Sequence, residues 1–321
     1  MEKLVTLKFG AGSLETGFSV ILQIGDGQGW PVVEMTGALP PAPELQSTYR
    51  RWQVAYRRLG LPYRLEARQQ GFATNVSQIE DCREVAQQLS QQFNQWLCTE
   101  SFSPLRDKLL EKLSPTETIR FIVQAQQTEM QRLPWSVWEI CDRYPQAEVA
   151  LGAPSFEYAQ PSPSSRQKVR VLAIVGDSRG IDVSTDQALL NHLPNADVAV
   201  LDQPNRAELN AYLWDSAGWD ILFFAGHSTS QQISDTETLG KLFINTAESL
   251  TIAELKHALK KSQERGLQVA IFNSCNGLGL AQALADLHIP QVLVMREPVP
   301  DLVAQEPSRE PPRTRSVDPS T

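Results

Sequence analysis

Two side chains in this sequence could work as a pair. His227 follows the apolar run Ile221-Leu222-Phe223-Phe224-Ala225 and Gly226, and Cys275 follows Val269-Ala270-Ile271-Phe272-Asn273-Ser274. Imidazole and thiol together can carry nucleophilic catalysis, the ring taking the proton from the sulfur and returning it to a leaving group. A thiol with an ordinary pKa of about 8.5 is mostly protonated at neutral pH, and it becomes an effective nucleophile when a helix N-terminus or a nearby imidazolium stabilises the thiolate. Cys275 stands just ahead of a helix predicted to begin near Gly277, a residue that lets the chain turn tightly beneath it. Taken singly the two residues say less: a cysteine ending an apolar strand suits plain burial, and a lone histidine suits a hydrogen-bonded loop.

The other candidates for chemistry fall away. His192, His257 and His288 lie within or at the ends of predicted helices and receive no catalytic role. Cys82, Cys98 and Cys141 have none of the close pairing that a zinc site or a disulfide framework requires, and each suits a small buried hydrophobe. No metal and no cofactor is expected. Gly10-Ala11-Gly12-Ser13 reads as a plain turn, because no helix opening with Gly-Lys-Ser/Thr follows it. The stretch Ile174 to Gly180 lacks the Gly-x-Gly-x-x-Gly spacing of a dinucleotide site.

What would hold His227 and Cys275 together is a parallel sheet. Strands are predicted over 169–176, 196–201, 219–225, 268–273 and 291–295, alternating with helices over 186–193, 205–215, 252–265 and 278–287. The third helix opens on Thr251-x-x-Glu254 and closes at Gly266. Such alternation implies right-handed crossovers and a doubly wound, mainly parallel sheet flanked by helices. In the order 2-1-3-4-5, His227 and Cys275 leave neighbouring strands at the carboxyl edge, where ligands bind in open α/β sheets.

Upstream, Val5, Leu7 and Phe9, then Phe18, Val20, Leu22 and Ile24, alternate as a small antiparallel β unit. Leu45, Tyr49, Trp52, Tyr56 and Leu59 form a helical stripe ended by Gly60. A second helix opens with capping-box spacing at Ser77 and Glu80, a short one covers 105–113, and a strand covers 119–125. Trp135 and Trp138 are expected to pack a core. The boundaries that follow are 1–75 for a small β unit plus helix, 76–160, 161–305 for the α/β core, and 306–321, where the proline-rich composition predicts a disordered tail.

Composition narrows the class of function. A chain of 321 residues, 41% hydrophobic and 21% charged, can bury a substantial core. The formal charge of −8 speaks against a general binder of nucleic acid or of anionic membranes, and Arg50-Arg51 and Arg57-Arg58 read as a solvated helix face. No apolar run approaches the roughly 20 residues that span a bilayer, and Met1-Glu2-Lys3-Leu4 does not open a signal peptide, so a cytoplasmic location is expected.

The Phe-Ala-Gly-His ending of the third strand, the Asn-Ser-Cys-Asn-Gly ending of the fourth and the later Met295-Arg296-Glu297-Pro298-Val299-Pro300-Asp301 resemble the CHAT domain, a bacterial relative of caspases and separases. Leu133-Pro134-Trp135 followed by Ala153-Pro154-Ser155 resembles the segment that such domains place before the central sheet. The resemblance implies a caspase-like fold and a cysteine endopeptidase with Cys275 as nucleophile, His227 as general acid and base, and a protein or peptide substrate, acting in signalling or stress response under a regulatory partner. Backbone amides of Ser228 and Cys275 would hold the oxyanion; Ser228 stands where caspase-like proteins commonly have Gly. Asp177 is a candidate for a pocket that receives a basic residue, with Asp182 and Asp186 as nearby competitors, and solvated loop positions explain all three equally well. Family members usually continue further beyond the Val-Pro-Asp motif, so a truncated domain of marginal stability is expected, and an idle interaction module is the alternative function.

Overall fold

The computed structural model describes residues 2–26, 30–59, 76–152, 167–179, 183–232, 238–274, 280, 281, 284, 287 and 289–295. They fall into two compact units, residues 2–59 with 76–152, and residues 167–295.

In the first unit the sequence alternation becomes one five-stranded sheet of order β3-β2-β1-β4-β5. Its strands are β1 (Glu2–Ser13), β2 (Gly17–Gly25), β3 (Val33–Leu39), β4 (Thr118–Gln124) and β5 (Ala147–Gly152). β1, β2 and β3 are antiparallel, whereas β1 runs parallel to β4 with Val5 opposite Phe121. The N-terminal strands therefore share their sheet with β4 and β5. Residues 10–13, expected as a turn, lie within β1, where the register with β2 slips between Phe9 and Gly12; a bulge absorbs the glycines and the turn itself forms at residues 14–16.

The helices of this unit are α1 (Pro43–Arg57), α2 (Val76–Trp96), α3 (Ser103–Lys112), α4 (Thr128–Arg132) and α5 (Glu139–Arg143), with a 3-10 turn at Trp135–Val137. The alternate residues Val5, Leu7 and Phe9 of β1 and Ile119, Phe121 and Val123 of β4 are buried in one cluster with Leu89, Phe93 and Leu97. Trp135 and Trp138 do pack this core: Trp135 meets Phe93 edge-on at 5.2 Å and Trp138 at 6.3 Å. Its indole N–H is satisfied by the Met130 carbonyl at 2.8 Å. Trp135→Ala is expected to cost about 3–5 kcal/mol, measurable as a fall in the denaturant midpoint.

The second unit is built on a five-stranded, all-parallel sheet of order β7-β6-β8-β12-β13. Its elements run β6 (Val169–Val175), α6 (Ser184–Asn191), β7 (Ala196–Asp202), α7 (Arg206–Leu213), β8 (Ile221–Ala225), β9 (Ser228–Gln232), β10 (Thr238–Phe243), β11 (Ser249–Thr251), α8 (Ile252–Glu264), β12 (Val269–Asn273) and β13 (Gln291–Val294). Alternate strand residues face opposite sides. Leu172, Ile174, Leu222 and Phe224 pack with Leu209, Leu213, Leu255 and Leu259 of α7 and α8, while Ala173, Phe223 and Ala225 pack with Val183 and with Leu190 of α6. Both faces of the sheet are thus covered at its centre, which is why the inner strands β6, β8 and β12 are near-continuous apolar runs. After β12, Leu280, Leu284 and Leu287 are buried at helical spacing.

Between β8 and α8 the chain forms a second sheet, β11-β10-β9, antiparallel throughout. Sequence patterning did not foretell it. α8 then opens with the expected capping box: Glu254 N–H donates to Thr251 Oγ1 at 3.2 Å, and Thr251 N–H donates to Glu254 Oε2 at 2.8 Å. Arg206 adds an ion pair to Glu254 at 2.9 Å. The Thr251 N–H and then the Arg206 guanidinium hold the Glu254 carboxyl at about 2 instead of 4.5. A depressed carboxyl stabilises the fold above its free value and loses that contribution as pH falls from about 4.5 toward 2. Thr251→Ala is expected to cost about 1 kcal/mol, and Arg206→Gln, which removes the ion pair, to flatten the acid limb of a melting-temperature profile taken against pH.

Candidate functional site

The carboxyl ends of β6, β8 and β12 lie side by side, with Val175 and Asn273 both paired to Ala225. Beyond these ends four backbone bonds join the chain, two of them to Phe243 of β10 in the added sheet. Gly176 N–H donates to the Ala225 carbonyl at 2.8 Å, Asp177 N–H to Phe243 at 2.9 Å, His227 N–H to Asp177 at 2.9 Å, and Phe243 N–H to His227 at 3.1 Å. Gly226 makes this approach possible with a φ of +153°; a Cβ there would lie 3.1 Å from the Asp177 carbonyl oxygen.

His227 leaves β8 into this network. Its Nε2 lies 2.9 Å from the Arg179 carbonyl oxygen, an acceptor only, so Nε2 carries the proton. The neutral ring then has its lone pair on Nδ1, which is buried and has no hydrogen-bond partner among the described residues. An imidazole in this state can take a proton through Nδ1.

Asp177, the pocket candidate, is 3% exposed and its carboxylate is already engaged. Arg179 donates to it from Nε at 3.0 Å, Nη2 at 2.7 Å and its own backbone N–H at 3.2 Å. This guanidinium holds the Asp177 carboxyl below its ordinary value. Arg179 was not singled out in the sequence; an Asp-x-Arg spacing past a strand end is the signal that could have flagged it.

Ser228 is fully buried. On β12, Asn273 donates through Nδ2 to Asp186 Oδ1 at 3.2 Å, both residues being buried, and this ties the strand end to the first turn of α6. The next residue, Ser274, is fully buried, and its Oγ has no partner among the described residues. Cys275 and the expected turn at Gly277 lie outside the described residues, as do His288, the Val-Pro-Asp segment and the expected tail at 306–321.

The remaining thiols differ in reactivity. Burial raises the Cys82 thiol, and burial with the Asp142 charge pushes Cys141 up to about 11. Cys98 is exposed, with Arg106 Nη1 at 2.9 Å from its sulfur. Among the described residues no group of three or more His, Cys, Asp or Glu is placed to hold a metal ion, and no helix is long and apolar enough to cross a membrane.

A family model described as the CHAT domain matches residues 91–306, well over half of the chain. The matched stretch begins within α2 and takes in β4, β5 and every element of the second unit; β1, β2 and β3 precede it. Among curated proteins no relative matches the chain.

Proposed function

The chain belongs to the CHAT domain family, and we propose from that membership that it is a cysteine endopeptidase of caspase-like fold, with His227 and Cys275 as its working pair. The observation that carries this reading is the state of His227: Nε2 donates to the Arg179 carbonyl, and Nδ1 is buried and unpartnered among the described residues. The strand register supports it. β8 and β12 pair with Ala225 opposite Asn273, and His227 and Cys275 each follow two residues later. The strand order β7-β6-β8-β12-β13 is the doubly wound arrangement that this reading requires.

In the proposed reaction Nδ1 takes the Cys275 thiol proton and the thiolate adds to the scissile carbonyl carbon. The imidazolium returns that proton to the leaving amine as the C–N bond breaks, which leaves a thioester. Water, deprotonated by the same nitrogen, releases the carboxylate and restores the thiol. Backbone N–H groups of Ser228 and Cys275 are the proposed oxyanion donors. The substrate class is protein or peptide, and bacterial signalling or stress response is the proposed setting, under control of a protein partner.

The test is alkylation by iodoacetamide with peptide-resolved mass spectrometry on wild type and His227→Ala. A fall in the Cys275 rate when His227 is removed supports the pair. An unchanged rate overturns it and leaves a catalytically idle interaction module.

A further inference from the structure

We propose that the Asp177–Arg179 ion pair is a positioning device for the His227 ring, selecting the tautomer that presents Nδ1 as the base; this rests on the reading of His227 and Cys275 as a catalytic pair. The Arg179 carbonyl is the acceptor that fixes the ring, and the Arg179 side chain folds back onto a buried carboxylate two residues earlier. The guanidinium makes a forked contact, Nε to Oδ1 and Nη2 to Oδ2, at 3.0 Å and 2.7 Å. Such a fork has little rotational freedom, so it holds the residue that carries the carbonyl as well as its own charge.

The other end of the clamp is equally fixed. The Asp177 backbone donates to Phe243 and accepts from the His227 N–H, so one short segment grips His227 through both main chain and ring. The charge of Asp177 is met within its own loop, and a buried carboxylate without that partner would be costly to keep. Loss of either member frees the Arg179 carbonyl to move. The ring would then sample both neutral tautomers, and the Nε2-unprotonated one has no lone pair on Nδ1.

The experiment uses the full chain with ¹⁵N-labelled histidine, His227 being assigned by its loss in His227→Ala. Wild type is expected to show His227 as a single Nε2–H tautomer. Asp177→Asn and Arg179→Gln are each expected to give a mixture and to slow iodoacetamide alkylation of Cys275 at neutral pH by about tenfold. In a His227→Ala background neither change should slow it further, because both act through the ring. Asp177→Asn keeps the test clear of folding failure, since it leaves no buried charge and the Arg179 side chain that it frees is 70% exposed.

A single Nε2–H tautomer in both variants overturns the proposal, as does a rate loss that persists undiminished without His227. Loss of cleavage after Arg or Lys in fluorogenic peptides, with tautomer and alkylation unchanged, would make Asp177 a pocket residue and also overturn it. If His227→Ala alone leaves the Cys275 rate unchanged, the catalytic pair itself fails, and the tautomer readings still decide whether the clamp holds the ring.

Discussion

Alanine at position 275 is expected to remove peptide-bond cleavage altogether, a loss in kcat on the order of 10⁶-fold, by analogy with the loss of a nucleophile from a serine peptidase. Alanine at position 227 is expected to cost about 10²–10⁴-fold, the usual contribution of a positioned acid and base. The difference has a chemical origin. Without its base the sulfur still ionises in part, because an ordinary thiol is a few per cent thiolate near neutral pH. Without the sulfur there is nothing to form the thioester. Since the two act in the same step, the double variant should be no slower than Cys275→Ala alone. The measurement is turnover of a denatured protein or peptide library, read by new N-termini. Retained cleavage in Cys275→Ala would place the nucleophile elsewhere, and Cys98 is the competing exposed thiol. Cys82 and Cys141 are unsuited to compete, because burial raises both thiols.

The elements that position His227 were legible because they obey simple periods. Val171 to Val175 and Leu222 to Ala225 are buried without interruption, as a strand covered on both faces must be, and Thr251 with Glu254 forms the box that its spacing announces. Three features were hidden for physical reasons. The β9–β10–β11 sheet is short and polar on one strand, with Ser228-Thr229-Ser230-Gln231-Gln232 resembling a loop; it is held by its own ladders and by the bonds of Phe243 to the His227 and Asp177 backbone. β5 ends in Leu151 and Gly152 at the edge of its sheet, with little alternation to read. The Arg179 contacts depend on where a loop folds back, which no period encodes. His227 could be picked from sequence by its place at a strand end; which of its nitrogens is the base needed the Arg179 carbonyl.

The second large effect is expected at Gly176, and a contrast between two glycines shows why. A Cβ built at Gly176 would stand 2.2 Å from the Phe243 carbonyl oxygen and 2.9 Å from Phe224 Cζ. Neither neighbour can yield easily. The carbonyl accepts the Asp177 N–H, and Phe224 is 1% exposed in the core against Phe272. Gly176→Val must therefore push β10 away from the end of β6, with an overpacking cost of about 3 kcal/mol or more. The same displacement loosens Asp177 and Phe243, the two residues bonded to the His227 backbone, so the Cys275 alkylation rate should fall by about 10²-fold in whatever fraction stays folded. Gly266 supplies the control. It has a φ of +112° and nothing within 4 Å of its built Cβ, so Gly266→Ala adds backbone strain without collision. That substitution should cost about 1–2 kcal/mol and leave the alkylation rate of the folded protein unchanged. Equal losses of stability with equal losses of reactivity in the two variants would show that Cys275 reactivity follows global stability, and that the junction of β6, β8 and β10 has no separate part in it.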